Sequence, residues 1–129
     1  DCLLSRGLGD VYKRQAMIWI THDLAVVSGL ADRIAVMYAG RIVETGATAD
    51  VIHAPRHPYT QGLIHSIPTR ETHGQPLQQI PGMTPSLLNL PKGCAFRPRC
   101  DRATDQCLDV PVPSHPVPAR TVRCWHAAA

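Results

Sequence analysis

The chain has 129 residues, of which 44% are hydrophobic and 18% charged, and its formal net charge is +3. That is enough for one modest domain or a piece of a larger one. The basic residues are scattered and only 5% of residues are aromatic, so the basic stripe with stacking aromatics of a nucleic-acid binder is missing.

Residues 1–15 show no clear apolar period. They carry no basic region followed by an apolar core, so no signal peptide is expected. Asp10-Val11-Tyr12-Lys13-Arg14-Gln15 reads as an artefactual join, and residues 1–15, Cys2 included, are set apart from the functional reading. Nowhere does an apolar run approach the roughly 20 residues that span a bilayer, which points to a cytoplasmic protein.

Ala16-Met17-Ile18-Trp19-Ile20 has the continuous apolar character of a buried parallel strand. Thr21-His22-Asp23 ends it, and Leu24, Val26, Val27 and Leu30 predict one amphipathic helix, capped by Thr21 or Asp23. Arg33 to Tyr38 and Arg41 to Glu44 predict a hairpin turning at Ala39-Gly40 and closed by Gly46. Thr48 is expected to cap a short helix through Val51 and Ile52. Pro58 suits the first turn of another, running to about Ile67.

All 12 prolines lie at or beyond Pro55, the strongest internal boundary signal. Residues 69–92 read as a linker or wrapping segment. Residues 93–126 hold four cysteines, many prolines and little periodicity, a composition that needs a staple to become ordered.

His22 follows a predicted strand and precedes a predicted helix. That places it at the carboxyl edge of a sheet, where open α/β folds bind ligands. By position alone a histidine at a surface turn is the more ordinary reading. The stretch Ile20-Thr21-His22-Asp23-Leu24, continued by Ala31-Asp32-Arg33-Ile34-Ala35-Val36-Met37-Tyr38-Ala39-Gly40-Arg41-Ile42-Val43-Glu44, strongly resembles the end of an ABC transporter nucleotide-binding domain. The resemblance makes His22 the switch histidine, which contacts the ATP γ-phosphate and helps to position the attacking water. A phosphate loop needs Gly-x-x-x-x-Gly-Lys-Ser/Thr, and no glycine here is followed by lysine. The signature motif and the acidic Mg²⁺-handling residues are absent too, so this chain is expected not to hydrolyse ATP alone.

His57-Pro58-Tyr59-Thr60 has a plain structural reading as a capped turn between two helices. The wider segment from Ala54 to Leu63 is also similar to the hallmark of the C-terminal extension in oligopeptide and dipeptide importer ATPases. On that resemblance its role is structural and diagnostic.

Cys94, Cys100, Cys107 and Cys124 have the spacing C-x5-C-x6-C-x16-C. A reducing compartment argues against two disulfides. Four thiolates suit structural zinc, although the usual tight C-x2-C knuckle is missing, and they also suit an iron–sulfur cluster. Gly93-Cys94-Ala95-Phe96-Arg97-Pro98-Arg99-Cys100 with the two later cysteines resembles the same importer extension, some members of which hold a 4Fe–4S cluster. The resemblance therefore favours iron–sulfur, with zinc as the alternative. Arg97, Arg99, Arg102 and Arg123 could offset thiolate charge around either metal; His115 and His126 could substitute as ligands, with solvated loop histidines the default reading.

The expected fold class is α/β: residues 16–53 as the C-terminal remnant of an ABC-type P-loop ATPase domain, then residues 54–129 as an irregular cysteine-rich extension. The implied parent is an importer ATPase subunit that uses ATP and Mg, at the cytoplasmic face of the bacterial inner membrane. Its implied partners are a second ATPase subunit, two transmembrane permease subunits and an extracytoplasmic peptide-binding protein, with no nucleic acid. A related nickel importer and a stand-alone metal-binding regulatory module are the alternatives.

Overall fold

A computed structural model describes residues 16–68 and 79–127. The expectations for residues 1–15, for Cys2 and for much of the 69–92 segment lie outside the described residues.

Helix α1 spans Leu24–Leu30 and is followed directly by strand β1, Arg33–Tyr38. The Asp23 carboxylate accepts from the Val26 N–H at 3.2 Å, so Asp23 is the cap, and its own N–H donates to the Thr21 hydroxyl at 3.0 Å. The five residues before this turn differ from expectation. Ala16–Ile20 are exposed and belong to no strand, with Ile18 91% and Ile20 93% accessible. An apolar run becomes a parallel strand only when neighbouring strands satisfy its backbone and cover both faces. No described residue supplies such neighbours.

β1 and β2 (Arg41–Ala47) form the predicted hairpin. Ala39 (φ 47°) and Gly40 (φ 77°) both take left-handed conformations, as a tight turn matching strand twist requires. β1 alternates cleanly, with Ile34, Val36 and Tyr38 facing the core. The return strand extends to Ala47, three residues beyond the expected end at Glu44, and contains a bulge. Val36 pairs with Glu44 and Met37 with Ile42, leaving Val43 as the extra residue. Two consecutive residues, Val43 and Glu44, are buried as a result.

Helix α2 (Thr48–His53) starts without a side-chain cap. Thr48 instead uses its hydroxyl on the Ala31 carbonyl and its N–H on the Asp32 carbonyl, tying α2 to the α1–β1 corner. Helix α3 (Pro58–His65) stops two residues earlier than expected. The Ser66 hydroxyl donates to the Gly62 carbonyl at 2.6 Å there.

The cysteine-bearing segment folds back onto this frame. Two 3-10 turns, Arg97–Arg99 and Asp105–Leu108, precede a short strand β3, Thr121–Val122, which pairs antiparallel with the free edge of β2. The sheet order is β1-β2-β3. Phe96, the only phenylalanine of the chain, joins Ile34, Val36, Tyr38, Val43 and Val51 in a single core. The described structure is thus a small α/β unit around an antiparallel sheet, with no described helix long and apolar enough to cross a membrane.

Candidate functional site

Glu44 organises the middle of the structure. It is fully buried, and its carboxylate accepts from the Arg56 N–H at 2.9 Å, the His57 N–H at 3.0 Å and the Arg120 guanidinium at 2.6 Å. Arg120 also donates to the Ala54 carbonyl. A buried carboxylate is tolerable because these donors replace its lost water. Nothing in the sequence pattern announces this. Simple alternation would put Glu44 opposite Val43, on the solvent side, and the bulge that turns it inward leaves no compositional mark.

His57 stands next to it as the cap of α3. Its Nδ1 accepts from the Tyr59 N–H at 3.0 Å, so Nε2 carries the ring proton. Burial holds its pKa down at about 4, although the Glu44 carboxylate and a hydrogen bond to the Arg123 main chain both favour the protonated ring. The imidazole is neutral near pH 7. The structural reading of the His-Pro-Tyr-Thr turn stands, and the turn is also a packing hub. Tyr38 and Tyr59 meet Phe96 edge-on, with ring centroids 5.2 and 5.5 Å away, and the His57 ring lies 5.9 Å from Phe96. Such pairs add roughly 0.5–1.5 kcal/mol each beyond their burial.

The four cysteines are free thiols, Cys107 buried and the other three half-buried. Several local devices hold them. The Cys94 N–H donates to the Cys107 carbonyl at 3.0 Å, joining the first and third across the loop. Gly93 makes this possible: at φ 80°, a Cβ there would collide with the Cys107 and Leu108 carbonyls. Cys124 accepts at sulfur from the His126 N–H at 3.3 Å.

The electrostatics tie the thiols to one another. Burial pushes the Cys124 thiol up to about 11; the His126 N–H opposes this, and Cys100, Cys94 and Cys107 raise it further. Cys100 is raised by burial, opposed by the Arg102 main chain, and raised again by Asp101, Cys107 and Cys94. Each of these two thiols thus ionises less readily because the other cysteines lie near it. Yet among the described residues no three His, Cys, Asp or Glu side chains come close enough to hold a metal ion. Zinc binding as placed would require the sulfurs to close in.

The arginines near the cysteines aim their side-chain donors at neutral oxygens, which leaves their positive charge in place; Arg99 is one. Its guanidinium donates to the Pro81 carbonyl at 2.8 Å, the Ile80 carbonyl at 3.2 Å and the Thr84 hydroxyl at 3.2 Å, and so clasps the wrapping segment. Arg102 is used on the Gln61 side-chain oxygen and Arg123 on the Ile42 and Pro111 carbonyls. His115 and His126 lie on loops, as the default reading has them, with one ring nitrogen of each facing the Thr121 and Thr104 hydroxyls at 3.2 and 2.7 Å.

His22 lies apart from all of this, exposed at the bend before α1. No described phosphate-binding loop faces it.

Residues 43–107 match the family described as oligopeptide/dipeptide transporter, C-terminal region. The chain belongs to that family. The match opens at the bulge residue Val43 and closes on Cys107, so it spans the Glu44–His57 hub and three of the four cysteines. Among curated relatives, the probable D,D-dipeptide transport ATP-binding protein DdpD of Escherichia coli is 55% identical over 96 residues, covering 74% of this chain and 29% of that protein. The oligopeptide transport ATP-binding protein OppD of Escherichia coli is 46% identical over 110 residues, covering 85% of this chain and 33% of that protein. A putative peptide import ATP-binding protein of Brucella abortus is 50% identical over 107 residues, covering 83% of this chain and 32% of that protein. The chain therefore spans about a third of the length of the curated relatives it matches.

Proposed function

We propose that this chain is the C-terminal portion of the ATP-binding subunit of a bacterial importer for dipeptides or oligopeptides. The observation that carries the reading is 46–55% identity to peptide-transport ATP-binding proteins over most of the chain. Residues 16–53 would complete an ATPase domain that uses ATP and Mg. The exposed apolar residues Met17, Ile18, Trp19 and Ile20 would then meet the strands they lack here. The partners would be a second ATPase subunit, two transmembrane permease subunits and an extracytoplasmic peptide-binding protein. The subunit would lie at the cytoplasmic face of the inner membrane.

In this reading His22 donates a hydrogen bond to the γ-phosphate, where positioned charge and hydrogen bonds supply most of the catalysis of phosphoryl transfer. Cys94, Cys100, Cys107 and Cys124 hold a 4Fe–4S cluster, with zinc as the alternative; either would cross-link chain segments that bury little apolar surface. The cluster is favoured over zinc on the resemblance of the cysteine spacing to the importer extension.

A chimera tests the transport reading: residues 16–129 replace the corresponding end of the Escherichia coli D,D-dipeptide relative. Dipeptide-dependent growth is expected, with loss of roughly a hundredfold or more in ATP hydrolysis in His22→Ala. An assembled chimera without uptake, or one indifferent to His22→Ala, rejects it. Anaerobic purification with iron and sulfide analysis tests the metal. Iron and sulfide in equal amounts are expected, and zinc alone would decide for the alternative.

A further inference from the structure

We propose that the open cleft beside the two 3-10 turns binds a short peptide zwitterion, Arg97 taking its carboxylate and Asp105 its ammonium group. The cleft has a volume of about 480 Å³ and is lined by Pro91, Arg97, Pro98, Ala103, Thr104 and Asp105. Cavities that take small molecules run from about 300 to 1,000 Å³, so a dipeptide has room here. The site goes beyond the transport reading and stands without it, because it is argued from the cleft's own side chains.

The neighbouring arginines are engaged elsewhere. Arg99 donates to the Ile80 and Pro81 carbonyls, Arg102 to the Gln61 side-chain oxygen and Arg123 to the Pro111 carbonyl. The Arg97 side chain has no hydrogen bond or ion pair among the described residues, and neither has that of Asp105. Both line the same cleft, yet they do not close on each other. Opposite charges that share a cleft without pairing suit a molecule that carries both signs. Two extended residues span roughly 7 Å, so a dipeptide can reach from one charge to the other. A guanidinium takes a carboxylate through two parallel N–H···O bonds, and an ionised carboxylate only accepts, which fixes the ligand's direction. The Thr104 hydroxyl is already held by the His126 ring at 2.7 Å, while Pro91, Pro98 and Ala103 offer apolar walls to the ligand's side chains. Arg97 and Asp105 are both exposed, so water competes for each contact and the binding is weak.

The test is isothermal titration of the full chain with dialanine, N-acetyl-dialanine and dialanine amide. Dialanine is expected to bind with a Kd of about 1 mM, and each blocked form about five-fold more weakly. Arg97→Gln should weaken dialanine about five-fold and leave the amide at the parent's value, because that ligand has no carboxylate to lose. Asp105→Asn should weaken dialanine by a similar factor and leave N-acetyl-dialanine unchanged. No saturable binding up to about 10 mM, indifference to either blocking group, or unchanged dialanine affinity in both variants overturns the proposal. Should a variant not fold, the three ligands against the parent decide alone: both ends must matter. Uptake by the chimera bears only on the transport reading, so failure of one leaves the other standing.

Discussion

Residues 16–32 and residues 33–127 obey different rules. The first region has the clearest pattern in the chain, an apolar run followed by a helical period, yet Ile18, Ile20 and Leu30 stay largely exposed. The second has little periodicity after Pro68, yet Phe96, Cys107, Arg120 and Val122 are buried within it. A pattern states what a segment needs covered; it does not supply the cover. The cysteine segment is ordered by a few specific contacts: one aromatic, one buried ion pair and a two-residue strand on an open edge.

The largest expected effect comes from removing the centre of the second region. Glu44→Ala leaves the Arg120 guanidinium and two main-chain donors buried without their acceptor, and should destabilise by about 3–5 kcal/mol in urea unfolding. A loss below about 1 kcal/mol would mean that the Glu44 hub does not hold the two halves together. Phe96→Ala empties the aromatic cluster and should cost about 3–4 kcal/mol, with a parallel loss of near-ultraviolet dichroism from the tyrosines.

Acid should act through His57. An unfolded histidine titrates near 6.5 and the folded one at about 4, so between those values the unfolded chain binds the additional proton. This contribution is intact above pH 6.5 and is lost as pH falls toward 4, by about 3 kcal/mol. The pH dependence of the melting temperature should flatten in His57→Asn relative to the parent; parallel curves would reject the assignment.

Smaller effects sharpen the contrast. The Thr60 hydroxyl is fully buried and has no hydrogen-bond partner among the described residues, so Thr60→Val should be neutral or stabilise by up to about 1 kcal/mol. In the first region, Ile18→Ser and Leu30→Ser should change stability by no more than about 0.5 kcal/mol, because both side chains already lie in water. Amide exchange should show the same division, fast across 16–30 and slow across β2.

Much of the frame was legible. The hairpin follows from alternation plus a turn pair that tolerates positive φ, and α1 from its period and the Asp23 cap. The turn at His57-Pro58 was legible because proline and a capping residue act locally. Thr48 misled, since a residue with cap chemistry can spend its hydroxyl on a distant carbonyl. The hydrogen-bond partners of the arginines near the cysteines were not legible, because the oxygens that take their donors lie far off along the chain.

By itself the sequence determined the local elements and the family, because caps, turns and motif order depend on residues close together along the chain. It also named the four cysteines as a set. Only the tertiary structure decided that Glu44 turns inward and that β3 closes the sheet edge. The reason is range. A bulge, an edge pairing and a buried ion pair between residues 44 and 120 arise from what surrounds each residue in space, and neighbours along the chain carry no mark of it.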